Sequence, residues 1–220
     1  MTKYLLITAT DTGVGKTWTT VALATALKAA GRSVVAIKPV ETGTSESPSD
    51  GEDGVKIARA TGQAAPTEAL YRFRAQVSAA LAADEEETRL DWKAMVGQVK
   101  KYAARSDVAI VEGAGGLMTP MTWEHGALDL AKELGAKAIV AALDKLGTIN
   151  HTLLTVDELE HNSIEVLGII LSEPERPDES TRTNADALRK MRPGLKVFMV
   201  PRLMNPDEGT EYIAELAKLV

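Results

Sequence analysis

The chemistry readable in this chain centres on two lysines, two acids and a glycine-rich turn. The stretch Ala9-Thr10-Asp11-Thr12-Gly13-Val14-Gly15-Lys16-Thr17 follows an apolar run, Tyr4–Ala9, and opens a helical pattern. A loop in that setting suits phosphate. Gly13 and Gly15 let the backbone curl until its N–H groups point at phosphate oxygens. The helix starting near Lys16 adds the partial positive charge of its N-terminus. Lys16 is placed to reach the β- and γ-phosphates of a nucleoside triphosphate, and Thr17 to offer its hydroxyl to Mg²⁺. Thr10 stands where such loops usually begin with glycine. Asp11 and Thr12 are polar enough to face a second substrate beside the γ-phosphate.

The second lysine, Lys38, ends the apolar run Ser33–Lys38, and Pro39 closes the strand after it. Ligands of parallel sheets collect at the carboxyl ends of strands, so Lys16 and Lys38 are expected on one edge. Glu112 ends a third apolar run, Val108–Glu112, and is followed by Gly113-Ala114-Gly115-Gly116. A carboxylate there is suited to a second Mg²⁺ contact, and the glycines admit a ligand close to the backbone. Asp53 begins a helical pattern. It reads equally well as a metal carboxylate or as a helix N-cap.

These residues need a scaffold, and the rest of the chain supplies one. Further apolar, β-branched runs lie at Ala138–Leu143, Val166–Leu171 and Val197–Val200. Helical patterns fall between the runs, at Lys16–Ala30, Gly54–Thr61, Trp92–Ala104, Leu128–Leu134, Ile149–His161, Ser180–Met191 and Gly209–Leu219. The alternation predicts an α/β fold, a single domain over residues 1–220 with a mostly parallel central sheet and helices on both faces. Glu41–Glu52 reads as a long mobile loop and Glu173–Glu179 as a solvated one. Asp84 to Glu87 reads as a solvated turn.

Composition narrows the function classes. With 45% hydrophobic residues among 220, a full core is available; with 4% aromatics it must be built from Ala, Val, Leu and Ile. A net charge of −6 opposes a nucleic-acid or anionic-membrane surface. The absence of cysteine excludes thiolate catalysis, disulfides and cysteine-ligated metals. No apolar run approaches the roughly 20 residues of a membrane span, so the expected compartment is the cytoplasm. His125, His151 and His161 have no metal-ligand spacing. Trp18, Trp92 and Trp123 read as packing residues.

Four motifs in order, ATDTGVGKT from Ala9, KPVETG from Lys38, VEGAGGL from Val111 and KLGTINHTLLT from Lys145, resemble those of the dethiobiotin synthetase family over most of the chain. The resemblance implies an ATP-dependent ligase of biotin biosynthesis, which forms the ureido ring of dethiobiotin from 7,8-diaminononanoate and carbon dioxide. It implies MgATP and a homodimer. Lys38 would be catalytic with Lys16 and Thr12. Gly13, Val14, Gly15, Lys16, Thr17 and Trp18 would contact the nucleotide, as would Gly113, Ala114 and Gly115. Thr17, Asp53 and Glu112 would surround Mg²⁺. Thr12, Lys38 and Thr42 would meet the diamine and its carbamate. Gly147-Thr148-Ile149-Asn150 would bind the distant carboxylate, across the dimer interface.

Two features depart from the family. Ser172-Glu173 stands where Asn-Asp is common, so the base edge loses a donor–acceptor pair. Weak discrimination among nucleoside triphosphates is expected, with contacts from Pro201, Arg202 and Leu203 remaining. Val77-Ser78-Ala79-Ala80 replaces a Ser-Pro-His segment near the substrate. Two other functions share this fold: a switch ATPase that partitions DNA or positions division sites, and a non-catalytic nucleotide-binding regulatory module. The former typically has a second lysine early in the loop, where Thr10 and Asp11 stand here.

Overall fold

The computed structural model describes residues 2–202 and 206–220. Its elements run β1 (Lys3–Ala9), α1 (Lys16–Ala29), β2 (Val34–Ile37), β3 (Val40–Thr42), α2 (Asp53–Thr61), β4 (Tyr71–Phe73), α3 (Ala79–Glu85) and α4 (Trp92–Ala103). Then follow β5 (Val108–Glu112), α5 (Ala127–Leu134), β6 (Lys137–Leu143), α6 (Thr148–His161), β7 (Val166–Ser172), α7 (Asn184–Met191), β8 (Val197–Val200), a 3₁₀ turn (Pro206–Gly209) and α8 (Thr210–Ala217).

Six strands form a parallel sheet in the order β2-β5-β1-β6-β7-β8. β1 is central because it is apolar on both faces. Leu5 and Ile7 pack with Leu23 and Leu27 of α1, Ile57 of α2 and Ile213 of α8. Leu6 points the other way, into a larger cluster with Met95 and Val96 of α4, Leu130 of α5, Val156 of α6 and Leu188 of α7. Alternate residues of one strand thus seed two cores. Each fully buried Leu or Ile contributes about 1.5–3 kcal/mol of transfer free energy.

The order places β5 between β1 and β2. After β1 the chain crosses to β2, whereas β6 returns on the other side. The crevice at that reversal is the expected ligand position of an open parallel sheet. Ile37 pairs with Val111 and Ile7 with Glu112, so β2 and β5 end within a residue of each other and β1 runs two residues beyond them to Ala9.

The expected strands are present, and several expectations need correction. Glu41–Glu52 is not loop throughout: Val40–Thr42 is β3, paired in parallel with β4. The remainder is tied down, with Thr44 donating to the Phe73 carbonyl at 3.0 Å and Arg72 to the Ser45 carbonyl at 3.0 Å. A three-residue strand is too short for its periodicity to be read. Asp84 and Glu85 belong to α3; the turn begins at Glu86. α7 starts at Asn184 rather than Ser180, because Arg182 lies at φ +72 and Asp178 engages the Ser180 N–H and hydroxyl. The last helix is shorter than Gly209–Leu219 and is preceded by the 3₁₀ turn. Trp92 packs as expected, stacked on His125 at 4.5 Å between ring centroids, whereas Trp123 is 64% exposed. Among the described residues no helix is long and apolar enough to cross a membrane.

Candidate active site

The turn after β1 has the conformation its glycines allow. Gly13 and Gly15 lie at φ +73 and +107, left-handed values that residues with a Cβ rarely adopt. Val14 turns its side chain away into a small cluster with Ala9 and Ala141, which anchors the loop from below. Gly15 flanks α1, and no side chain caps that helix end. Its first N–H groups are therefore left without a capping side chain, beside the cavity that Gly15, Lys16 and Thr17 line. Lys16 folds back over the turn, its ammonium 3.2 Å from the Asp11 carbonyl.

The loop forms one wall of a cavity of about 240 Å³. Thr12, Gly13, Gly15, Lys16, Thr17 and Trp18 line this wall. Lys38, Val40, Glu41 and Thr42 come from the ends of β2 and β3, Asp53 from α2, and Ala114 and Gly115 from the loop after β5. Lys38 and the glycine turn thus share one pocket. Beneath it, Lys38 Nζ lies 2.6 Å from Glu112 Oε1, 3.2 Å from Asp53 Oδ2 and 3.3 Å from the Gly113 carbonyl. Glu112 also receives the hydroxyls of Thr17 at 2.9 Å and Thr20 at 2.7 Å. Both threonines come from α1, one helical turn apart on the same face.

The electrostatics follow from this packing. Burial pulls the Lys38 ammonium toward neutrality, but the charges of Glu112 and Asp53 outweigh it and hold Lys38 well above the usual lysine value. Burial lowers Lys16 to about 8, with repulsion from Lys38 adding to it against the attraction of the nearby acids. Burial pushes Asp53 up; Lys38 and the Thr17 hydroxyl more than offset this and hold it below the usual carboxylate range. Burial raises Glu41, against the pull of the Gly54 and Asp53 N–H groups.

Asp53, Glu112 and the Gly113 carbonyl converge on the Lys38 ammonium, and the Thr17 hydroxyl donates to Glu112 beside them, so this corner already attracts a cation. Their donors are all oxygen, which suits a hard ion such as Mg²⁺. Among the described residues no group of three or more His, Cys, Asp or Glu could cage a metal alone. A Mg²⁺ held by two carboxylates and a hydroxyl would complete its shell with water and phosphate oxygens.

The other residues singled out by sequence lie around this centre. The Ser172 hydroxyl sits 3.3 Å from where a Cβ on Gly15 would stand, so it flanks the phosphate turn. Glu173 pairs with Arg182 at 2.9 Å and accepts the Arg202 N–H at 3.3 Å, beyond Ser172. Pro201 follows β8; Leu203 falls outside the described residues. Gly147 flanks α6 with φ +92, at the same sheet edge, but Gly147–Asn150 does not line the cavity. Thr148 is buried and its N–H is taken by the Lys145 carbonyl at 3.1 Å. Ser78 flanks α3. Sequence reading missed two members of the site, Thr20 and Glu41. Thr20 stands one turn after Thr17 on an established helix, a signal that was available. Glu41 offered only an acid between Lys38 and Thr42.

A parallel sheet with a glycine turn, lysine and threonine at its reversal defines the class: a P-loop nucleotide-binding α/β domain. The AAA domain family matches residues 3–206. The ATP-dependent dethiobiotin synthetase BioD of Anaeromyxobacter dehalogenans (strain 2CP-C) is 40% identical over 208 residues, covering 92% of this chain and 91% of its own. That of Aquifex aeolicus (strain VF5) is 37% identical over 216 residues, covering 98% and 96%. The chain belongs to the dethiobiotin synthetase family. Among solved structures, the septum site-determining protein MinD with Mg-ADP from Pyrococcus horikoshii OT3 superposes with a TM-score of 0.61 at 16% identity, over 99% of this chain and 95% of that one. The cell division ATPase MinD of Pyrococcus furiosus gives 0.59 at 16% identity, over 100% and 98%. Likeness at that identity shows the fold alone.

Proposed function

We propose that this protein makes dethiobiotin, closing the ureido ring of 7,8-diaminononanoate with carbon dioxide at the expense of ATP. The observation that carries the reading is the shared pocket: Lys38, buried among Glu112 and Asp53, opens on the same cavity as the phosphate turn and Lys16. A switch ATPase needs no such second cationic wall for a small substrate.

The reaction has three balanced steps. One amine of the substrate adds to carbon dioxide and releases a proton, giving a carbamate. A carbamate oxygen attacks the γ-phosphorus of ATP and ADP leaves, giving a carbamic–phosphoric anhydride. The second amine attacks the anhydride carbon, gives up a proton, expels phosphate and closes the ring.

Carbamate and triphosphate repel each other, so most of the catalysis is charge management. The N–H groups of Gly13 to Thr17 and the Lys16 ammonium hold the phosphates. Lys38, kept protonated by its carboxylate neighbours, offsets the charge of the carbamate and of the transferring phosphoryl group. A lysine held this far above its ordinary value is no general base. Thr12 and Thr42, on the cavity wall, orient the diamine by hydrogen bonds. Mg²⁺, bound at Thr17, Asp53 and Glu112 with the nucleotide, would neutralise phosphate charge.

The diamine's distant carboxylate is assigned to the start of α6 on a partner subunit, with Ile149 and Asn150 offering N–H groups since that of Thr148 is used. The protein then works as a homodimer, with no nucleic acid or membrane partner, and its reaction belongs in the cytoplasm. Incubation with diaminononanoate, bicarbonate and MgATP, read by mass spectrometry, is expected to yield dethiobiotin and ADP in equal amounts. ATP hydrolysis that ignores the diamine and rises with DNA or lipid would overturn the reading.

A further inference from the structure

Glu41 stands on β3, three residues after Lys38, and is 7% exposed. Its carboxylate grips the start of α2 with both oxygens. Oε1 accepts the Asp53 N–H at 2.5 Å and Oε2 the Gly54 N–H at 2.9 Å. The first N–H groups of a helix have no partner within it. An N-cap side chain usually supplies one, but Glu52, which flanks this helix, makes no capping bond. The Glu52 carboxylate is committed to Arg72, at 2.8 and 2.9 Å. The cap therefore comes from a separate strand.

That strand is also the wall of the catalytic cavity. Clamping the Asp53 and Gly54 amides fixes where the Asp53 backbone stands, and from there its side chain reaches Lys38 at 3.2 Å. Asp53 needs such a clamp more than Glu112 does. Glu112 is fully buried at the end of a central strand, whereas the Asp53 side chain is 37% exposed and follows an irregular segment. Helix ends so placed fray readily. Gly54 also abuts the backbone of Ala69, leaving no room for a Cβ. The start of α2 thus meets both the Ala69 backbone and the Glu41 carboxylate.

We infer that Glu41 is a positioning residue for the cation site: its carboxylate, receiving the two N–H groups that open α2, holds the Asp53 carboxylate beside Lys38 and Glu112. The inference rests on the reading of Asp53 as a Mg²⁺ contact. It assigns Glu41 no contact with the nucleotide or the diamine. The Glu52–Arg72 pair and the Gly54 contact do not involve Glu41 and are expected to hold the helix in its absence.

The test uses the full chain with Mn²⁺ as probe and a non-hydrolysable ATP analogue, read by electron paramagnetic resonance. Glu41→Ala is expected to raise the Mn²⁺ dissociation constant about tenfold, the lower end for a group that orients a metal ligand. Glu41→Gln, which keeps one acceptor oxygen, should raise it less. The Mg²⁺ concentration for half-maximal turnover should rise in parallel. Amide exchange at Asp53 and Gly54 should quicken. Asp53→Asn is the control, and adding Glu41→Ala to it should cost nothing further. An unchanged Mn²⁺ affinity in Glu41→Ala beside a weakened one in Asp53→Asn overturns the role of Glu41. Unchanged affinity in both overturns the metal role of Asp53, and this inference with it. Should Glu41→Ala not fold, Glu41→Gln decides by the same comparison.

Discussion

Lys38 Nζ lies 2.6 Å from Glu112 Oε1, with the two side chains 4% and 0% exposed. They come from neighbouring parallel strands whose preceding residues, Ile37 and Val111, are paired in register. A positive charge is thereby built into the floor of the cavity at a fixed height above the sheet. The carboxylates that hold it are those proposed above for Mg²⁺, so ammonium and metal would share one set of oxygens.

Lys38→Gln should keep the fold and MgATP binding while turnover falls by about 10²–10³, as when a preorganised donor is removed from a developing charge. Breaking a buried pair from one side costs about 3–5 kcal/mol. The amide of Gln can still donate to Glu112, so a loss below that range is expected without metal. MgATP should restore most of it. Thermal melts with and without MgATP, beside steady-state rates, check both halves; full turnover in the mutant would remove Lys38 from the mechanism.

Nucleotide binding without divalent cation should take up a proton near pH 8.5. Lys16 is lowered to about 8 by burial and by Lys38. Triphosphate charge raises the pKa of the lysine that contacts it. The free protein therefore loses this proton as pH climbs past about 8, whereas the complex keeps it. Affinity should fall about tenfold per pH unit above that point and be flat below it. Calorimetry in buffers of different ionisation enthalpy, with EDTA present, reads the proton directly. Lys16→Met should abolish the uptake.

Base selectivity should be weak. The Ser172 side chain flanks Gly15 and offers one rotatable hydroxyl where an asparagine would offer a donor and an acceptor. ATP, CTP, GTP and UTP are expected to support turnover within about tenfold of one another, and Ser172→Asn to shift the preference toward ATP. A strong ATP preference in the unmodified chain contradicts this.

Gly54→Ala should destabilise the protein although alanine favours helices. The added Cβ would stand 2.4 Å from the Ala69 backbone nitrogen, and backbone has little freedom to yield. Overpacking of this kind costs about 1–3 kcal/mol. The displaced helix start carries Asp53 with it, so the midpoint of Mg²⁺ activation should move together with the denaturation midpoint. Alanine at Gly97, where a Cβ meets nothing within 4 Å, is the control and should be neutral or stabilising.

The site was legible in the sequence wherever it is written locally. Gly13 to Thr17 sits between a strand and a helix, and the turn, the lysine and the hydroxyl are fixed by that succession. Lys38 and Glu112 each end an apolar run, so their place at one sheet edge follows from the parallel pattern alone. The short pair β3 and β4 was not legible. Their three-residue ladder depends on Tyr71–Phe73 meeting Val40–Thr42 across α2. The capping role of Glu41 and the exposure of Trp123 were hidden for the same reason: each depends on neighbours distant along the chain.

By itself the order of residues determined the class of this protein: an alternating strand and helix pattern, a phosphate turn and the family motifs. Those are properties of short stretches, set by backbone sterics and by periods of two and 3.6 residues. Only the tertiary structure decided which charges meet. β5 enters between β1 and β2, and that choice puts Glu112 against Lys38 although 74 positions separate them. Strand order is settled by how whole faces of apolar side chains pack. The pairing of two charges at the strand ends is its consequence, and no local pattern contains it.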